Sequence, residues 1–308
     1  MKKEILAMGG LPGQSFSRID LYSTPLNGPG PMSTEKVYTD RDFISLKKEI
    51  YRKTALDCNQ YKDPYLQRRF GVRMRARGVA CYSNYITLLN TDPNECDDMM
   101  RDITINVTQF FRDIPVFKAL EEEIFPLLIY SKITHNEPAI KIWSAGCSSG
   151  EEPYTLAIII KELLGEEYDH FSVSIIGSDI DDECLVTAHE GRYLPRQVVN
   201  VPKAYLEKYF TLEGEFYQLS PEIMDMVEFR NLDLFSATAG SNFDAILCRN
   251  VVIYFTKDMQ ERLYMKFYRA LNEGGYFVMG NTETLVGEAT KLLTSVKTRE
   301  RVYQKKGG

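Results

Sequence analysis

Apolar and polar positions change their rhythm twice along the chain. Residues 1–31 show no sustained period. Stretches such as LPGQSFSR and PLNGPGP are rich in Gly, Pro and Ser, so residues 1–33 read as a flexible tail. From about Thr34 the period becomes helical. STEK offers Ser33 or Thr34 as an N-cap, and YTDRDFISLKKEIYRKT puts Phe43, Leu46 and Ile50 on one face. DPYLQRRFGVRMRARG follows, with Pro64 suited to a first turn and Gly78 to a C-terminal stop. YSNYITLLNTDPNECDDMMRDITINVT predicts one or two more helices. Residues 34–103 therefore read as a small all-helical domain.

From Ile140 strands alternate with helices. IKIW, VSIIGSD, VEFRNLD, FDAILCRN, GGYFVMG and ERVYQK are strand-like; PYTLAIIIKELLG, DDECLVTAHEG and TKDMQERLYMKFYRAL are helix-like. That alternation predicts a doubly wound α/β sheet with helices on both faces over residues 104–308. One interruption stands at about 195–226, where two aromatic-rich runs flank Glu213-Gly214 and predict an inserted β-hairpin.

Composition narrows the classes. A net charge of −6 argues against wholesale nucleic-acid binding and leaves room for a local basic patch. The six cysteines form no C-x-x-C pair and there are three histidines, so neither a zinc site nor a disulfide framework is expected, and a reducing cytoplasm is. No apolar run approaches the about 18 residues of a membrane span, and no secretory signal opens the chain.

The chemistry gathers at predicted strand ends. SAGCSSGEEP joins the first strand to a helix, the place where an open α/β sheet binds its ligand. Its glycines, Gly146 and Gly150, fit neither G-x-G-x-x-G nor the P-loop, and Glu151 and Glu152 would repel phosphate. A cationic ligand would tolerate them, and so would a ligand-free acidic first turn. Asp179 ends the second strand, where an acidic residue can accept hydrogen bonds from ribose or simply cap a helix. Asn231, Leu232 and Asp233 follow the third strand, and Arg249 and Asn250 the fourth. Four polar strand tips in one parallel sheet converge on one crevice, suited to an adenosine-like polar rim without polyphosphate. In the helical region Arg69, Arg73 and Arg77 recur at i, i+4, i+8 beside a stripe of Leu66, Phe70 and Met74. Such a run suits an acidic partner or is an ordinary basic face.

In order, INVTQFFRD, IWSAGCSSGEEPYTLAI, SDID, CRNVVIYF and GGYFVMGNTETL closely resemble the chemotaxis receptor glutamate O-methyltransferases, the CheR-type family, over about Lys36 to Lys305. The resemblance implies a helical domain followed by a Rossmann-like methyltransferase domain that uses S-adenosylmethionine, with S-adenosylhomocysteine as product. The implied substrates are glutamates on the cytoplasmic helices of chemoreceptors. The implied cofactor contacts are Asn106, Thr108, Arg112, Ala145, Gly146, Glu152, Asp179, Asn231, Leu232, Arg249 and Asn250. Tyr254 matches a tyrosine near the transferred methyl. The inserted hairpin matches a small β-subdomain facing the receptor; its loop is shorter than in members that grip a receptor's C-terminal pentapeptide, which argues against such a tether.

This chemistry suits the residues present. A glutamate with a pKa of about 4.3 is already ionised at neutral pH, so no general base is required. Positioning then carries the catalysis. Arg112 is the candidate for orienting the substrate carboxylate and Tyr254 for fixing its geometry, while Arg69, Arg73 and Arg77 would meet the glutamate-rich receptor helix.

Overall fold

The computed structural model describes residues 40–307. The predicted tail and the Ser33 or Thr34 cap lie outside them. Helices α1 (Asp40–Thr54), α2 (Asp63–Ala76), α3 (Tyr82–Thr91) and α4 (Glu95–Ile103) come first. Phe43, Leu46 and Ile50 are buried on α1, as its period requires. Pro64 sits in the first turn of α2, and Gly78 follows the helix with a left-handed φ of 66°.

The stretch before the first strand is helical, which its sequence did not announce. Helix α5 (Ile114–Ala119) runs through a π turn at Leu120–Ile124 into α6 (Phe125–Thr134). Pro126 lies just past that turn. Proline has no N–H and its ring crowds the carbonyl four residues back, so a wider turn there accommodates it.

Strand β1 (Ala139–Ala145) is followed by α7 (Glu151–Leu164), β2 (Ser172–Asp179) and α8 (Asp182–Glu190). The insertion then supplies β3 (Arg192–Tyr193), α9 (Lys203–Tyr209), β4 (Phe210–Glu213) and β5 (Phe216–Leu219). It is a three-stranded antiparallel sheet, β3-β5-β4, where the sequence predicted a hairpin. A strand of two residues is too short to show a period of two. After α10 (Pro221–Met224) come β6 (Val227–Asn231), β7 (Phe243–Cys248), α11 (Lys257–Ala270), β8 (Leu271–Met279), α12 (Ala289–Leu292), β9 (Leu293–Lys297) and β10 (Val302–Lys305).

The main sheet has the order β6-β2-β1-β7-β8-β10-β9. Strands β6, β2, β1, β7 and β8 run parallel, and β10 and β9 close the edge antiparallel. Strand β9 is largely exposed at this edge, so it lacked the apolar run that marks a buried strand.

Alternation along the central strands splits the core. Ile140 and Ile142 of β1 join one cluster with α5, α6, α7 and the insertion; Trp143 and Ala145 join the other with α11. That second cluster also contains Phe43, Leu66, Phe70 and Tyr85, so helices α1–α3 and one sheet face share a continuous core. Backbone pairing crosses the same seam. Lys62 N–H donates to the Tyr254 carbonyl and Thr256 N–H to the Gln60 carbonyl, each at 2.9 Å, and Tyr61 bridges Phe255.

Candidate active site

Strands β1, β2, β6 and β7 are parallel, so their carboxyl ends share one edge. The chain runs outward from β1 through β2 to β6, then crosses back to β7 on the other side of β1. A crevice opens where the winding reverses. Gly146, Glu152, Asp179, Leu232, Arg249 and Asn250 line one cavity there. Asn106, Thr108 and Arg112 line it from the loop before α5, and Tyr254 from the turn after β7. Ala145 is buried at the end of β1 and does not line it. The Asn231 side chain turns away, donating to the Ile180 carbonyl at 3.2 Å and to Asp182 at 2.6 Å. Tyr61 and Ile103 reach the cavity from the helical region, which sequence spacing did not indicate.

The loop after β1 is held against β2. Gly146 and Cys147 N–H both donate to the Ser178 carbonyl, at 2.8 and 3.0 Å. Gly146 has a φ of 83°, and a Cβ there would lie 2.4 Å from Val251 Cγ2, so only glycine fits. Asp179 accepts from Ser148 N–H at 2.8 Å and from Asp181 N–H at 3.1 Å. Burial raises its pKa, and these backbone donors oppose the rise.

The adjacent carboxylates part company. Successive helix residues point about 100° apart. Glu151 is 0% exposed and accepts from Ser149 Oγ at 2.8 Å and Gln197 Nε2 at 2.7 Å. Burial raises its pKa. Glu152 faces the cavity, where it accepts from Ser144 Oγ at 2.8 Å and pairs with Arg249 Nη1 at 3.0 Å.

Arg249 is a buried hub, its side chain 2% exposed. Its Nη2 donates to Asp113 Oδ2 at 2.7 Å and to the Arg112 carbonyl at 2.9 Å, and its guanidinium lies 5.0 Å from the Phe117 ring centroid. Asn250 adopts a left-handed φ of 61°, and its Oδ1 is buried without a protein partner. Beneath it, buried Glu283 accepts from Gly280 N–H at 2.6 Å and Val252 N–H at 3.2 Å, fixing the turn that carries Tyr254. Burial raises the Glu283 pKa, and its backbone donors oppose this.

Tyr254 feels positive charge from α2 and from Arg112. Its ring lies 4.6 Å from that of Tyr65, and the Arg68 and Arg69 guanidiniums lie 5.9 and 5.6 Å from the Tyr65 centroid. Burial raises the Tyr254 pKa, while Arg69, Arg112 and Arg68 lower it. Arg73 and Arg77 are engaged elsewhere. Arg73 pairs with Glu95 at 2.7 Å and with Asp98; Arg77 pairs with Asp92 at 2.6 Å and Glu95 at 2.9 Å. Their i, i+4 spacing revealed the shared face, and the acids that cover it come from other segments.

Residues 106–302 match the family described as CheR methyltransferase, SAM binding domain, and residues 41–104 match the CheR methyltransferase all-alpha domain. The chain belongs to the CheR methyltransferase family. The chemotaxis protein methyltransferase of Borreliella burgdorferi is 32% identical over 254 residues, covering 81% of this chain and 90% of that protein. That of Listeria innocua is 31% identical over 251 residues, with 81% and 92% covered. Chemotaxis protein methyltransferase 2 of Pseudomonas aeruginosa is 34% identical over 281 residues, with 88% and 97% covered.

As a CheR methyltransferase, the protein is an S-adenosylmethionine-dependent enzyme of chemotaxis. Its cavity suits that cofactor. Among the described residues three acids, Glu152, Asp179 and Asp233, line it against two arginines, Arg112 and Arg249, and Arg249 is already paired with Glu152 and Asp113, a balance that suits a cationic ligand without phosphates. The unpartnered Asn250 Oδ1 offers a buried acceptor. Three supporting residues carried no sequence assignment. Asp181 stood in the SDIDDE cluster, where it reads as a cap; it also accepts from Thr104 Oγ1 at 2.9 Å and Asn106 Nδ2 at 2.7 Å. Glu283 follows a strand end as an acid in GNTETL, the signal by which it was findable. Asp113 had no signal beyond its place after Arg112.

Proposed function

We propose that this methyltransferase esterifies the side-chain carboxylates of glutamates on the cytoplasmic helices of chemoreceptors, acting in the cytoplasm in chemotactic adaptation. The observation that carries this reading is the positive charge acting on Tyr254: Arg112 lines the cavity with it, and Arg68 and Arg69 stand against the Tyr65 ring that packs on it. None of the three has a carboxylate partner among the described residues, so the cluster suits an acidic substrate. The relatives' role in chemotaxis points to receptors as its source.

Bound S-adenosylmethionine supplies a methyl group on a sulfonium cation, for transfer to a carboxylate oxygen with S-adenosylhomocysteine as product. Asn106, Thr108, Glu152, Asp179, Leu232, Arg249 and Asn250 are the side chains assigned to holding it, with Gly146 giving close backbone approach; Asn231 and Ala145, which do not line the cavity, drop out of that set. Arg112 binds the incoming carboxylate through its guanidinium, leaving one oxygen free. Its Nη1 now donates to the Val107 carbonyl at 2.5 Å, so it lies folded over the loop. Tyr254 fixes the acceptor's geometry. Proton abstraction is not needed, since a glutamate with a pKa of about 4.3 arrives ionised. The rate then derives from orientation and water exclusion, which are worth several kcal/mol. On α2 the receptor contact narrows to Arg69 and its neighbour Arg68.

The test is to incubate the enzyme with methyl-labelled S-adenosylmethionine and receptor cytoplasmic domains. Alkali-labile label on receptor glutamates is expected. Alkali-stable label, or transfer only to a small molecule, overturns the reading.

A further inference from the structure

Asp113 occupies a conformation that works against local stability on two counts. It stands immediately before α5, at φ 62° and ψ 63°, in the left-handed region. Side chains with a Cβ disfavour that region, although Asp tolerates it better than most. Asp at a helix start also normally accepts a hydrogen bond from the first turn, and Asp113 makes no such bond. Its carboxylate instead meets Arg249 Nη2 at 2.7 Å. Phe111, two residues earlier, is left-handed as well, with a φ of 52°. Backbone strain at a cavity rim persists only where surrounding contacts hold it.

Those contacts converge on Arg112. Arg249 Nη2 bridges the Asp113 carboxylate and the Arg112 carbonyl, the latter at 2.9 Å, while Nη1 reaches Glu152 at 3.0 Å. A single buried guanidinium thus ties the loop bearing Arg112 to the start of α7. With acids on both arms, its position is balanced. Without Asp113, Arg249 would be left to Glu152 alone, and the Arg112 carbonyl would lose the group that orients its donor.

We propose that Asp113 is a positioning residue for Arg112, acting through Arg249. This rests on the reading that Arg112 meets the substrate carboxylate. Asp113 itself does not line the cavity, and Arg249 keeps its Nη1 bond to Glu152 without it, so its effect should fall on turnover more than on cofactor binding. A small displacement of a substrate-orienting group is enough to slow transfer strongly.

The full chain carrying D113N, D113A, R112A or R112A/D113N is assayed for kcat and KM with receptor domains, for S-adenosylmethionine affinity by calorimetry, and for Tm. Asn keeps the size and the tolerance of left-handed backbone, so D113N isolates the charge. The expected result is a kcat about tenfold lower for D113N, cofactor affinity within about threefold of wild type, and a double variant no slower than R112A. Normal kcat in D113N beside an impaired R112A overturns this inference alone. Losses that multiply in the double variant also overturn it, because Asp113 would then act independently of Arg112. Normal turnover in R112A instead strikes the assignment of Arg112 and removes this inference with it. A D113N that lowers Tm while kcat holds assigns Asp113 to folding, against the proposal.

Discussion

At the scale of single residues, neighbours in sequence hold opposite roles. Glu151 and Glu152 are chemically identical, and their separation around the helix decides everything. Glu152→Gln should weaken S-adenosylmethionine binding about tenfold or more, since charge-assisted hydrogen bonds contribute about 1.5–3 kcal/mol; Glu151→Gln should leave it unchanged, both by calorimetry. Glu151 has its own signature. Burial raises its pKa from the ordinary 4.5. The folded state therefore holds that proton more tightly than the unfolded chain does. The contribution is fully present below the unfolded pKa and is lost as pH rises through the folded value. Denaturant melts of wild type and E151Q from pH 4 upward should show wild type losing stability relative to the variant over that window. A difference that stays flat with pH would count against a buried, titrating Glu151.

At the scale of elements, α2 divides its arginines by longitude. Its period was legible, so the common face of Arg69, Arg73 and Arg77 was too. Their partners were not, because Asp92, Glu95 and Asp98 lie beyond α3 or at the start of α4. Arg73 should therefore matter to folding. Glu95 is 0% exposed, and Arg73→Glu sets a like charge against it with Arg77 left as its remaining ion-pair partner, at a cost of about 3 kcal/mol, the low end for broken buried pairs. The double variant R68E/R69E should melt near wild type, raise KM for receptor domains most at low salt, and leave cofactor affinity unchanged. Unchanged KM at low salt would remove α2 from the receptor contact. The same contrast separates legible from illegible elements. Strand β2 and helix α7 carry strong apolar signals. Strand β3 is too short for a period, β9 is an exposed edge, and the π turn before Pro126 is a local adjustment within a helix.

For the whole molecule, the helical region and the sheet are joined where the candidate cavity lies. Tyr61 and Ile103 line that cavity from the helical side. Asp181 fastens the junction, taking Thr104 and Asn106 on Oδ2 and the Glu183 and Cys184 N–H groups of α8 on Oδ1. Asp181→Ala removes a helix cap and a crossing contact together. It should cost about 1–3 kcal/mol in denaturant melts and weaken S-adenosylmethionine binding, because Asn106 loses its anchor. Wild-type affinity in a destabilised D181A would make the junction structural only.

The sequence by itself determined the helical region, the alternating strands and helices, and the polar residues at the tips of parallel strands. Those features are periodic or terminal, so local order suffices to state them. Tertiary structure decided which carboxylate of an adjacent pair faces the cavity, which arginines of one helix face keep their charge free, and why Asp113 leaves its own helix uncapped. Each of those outcomes depends on a partner supplied from a distant part of the chain: Gln197 for Glu151, Glu95 for Arg73 and Arg249 for Asp113. Hydrogen bonds and ion pairs act over a few ångströms in space, and sequence spacing carries no record of which distant segments folding brings that close.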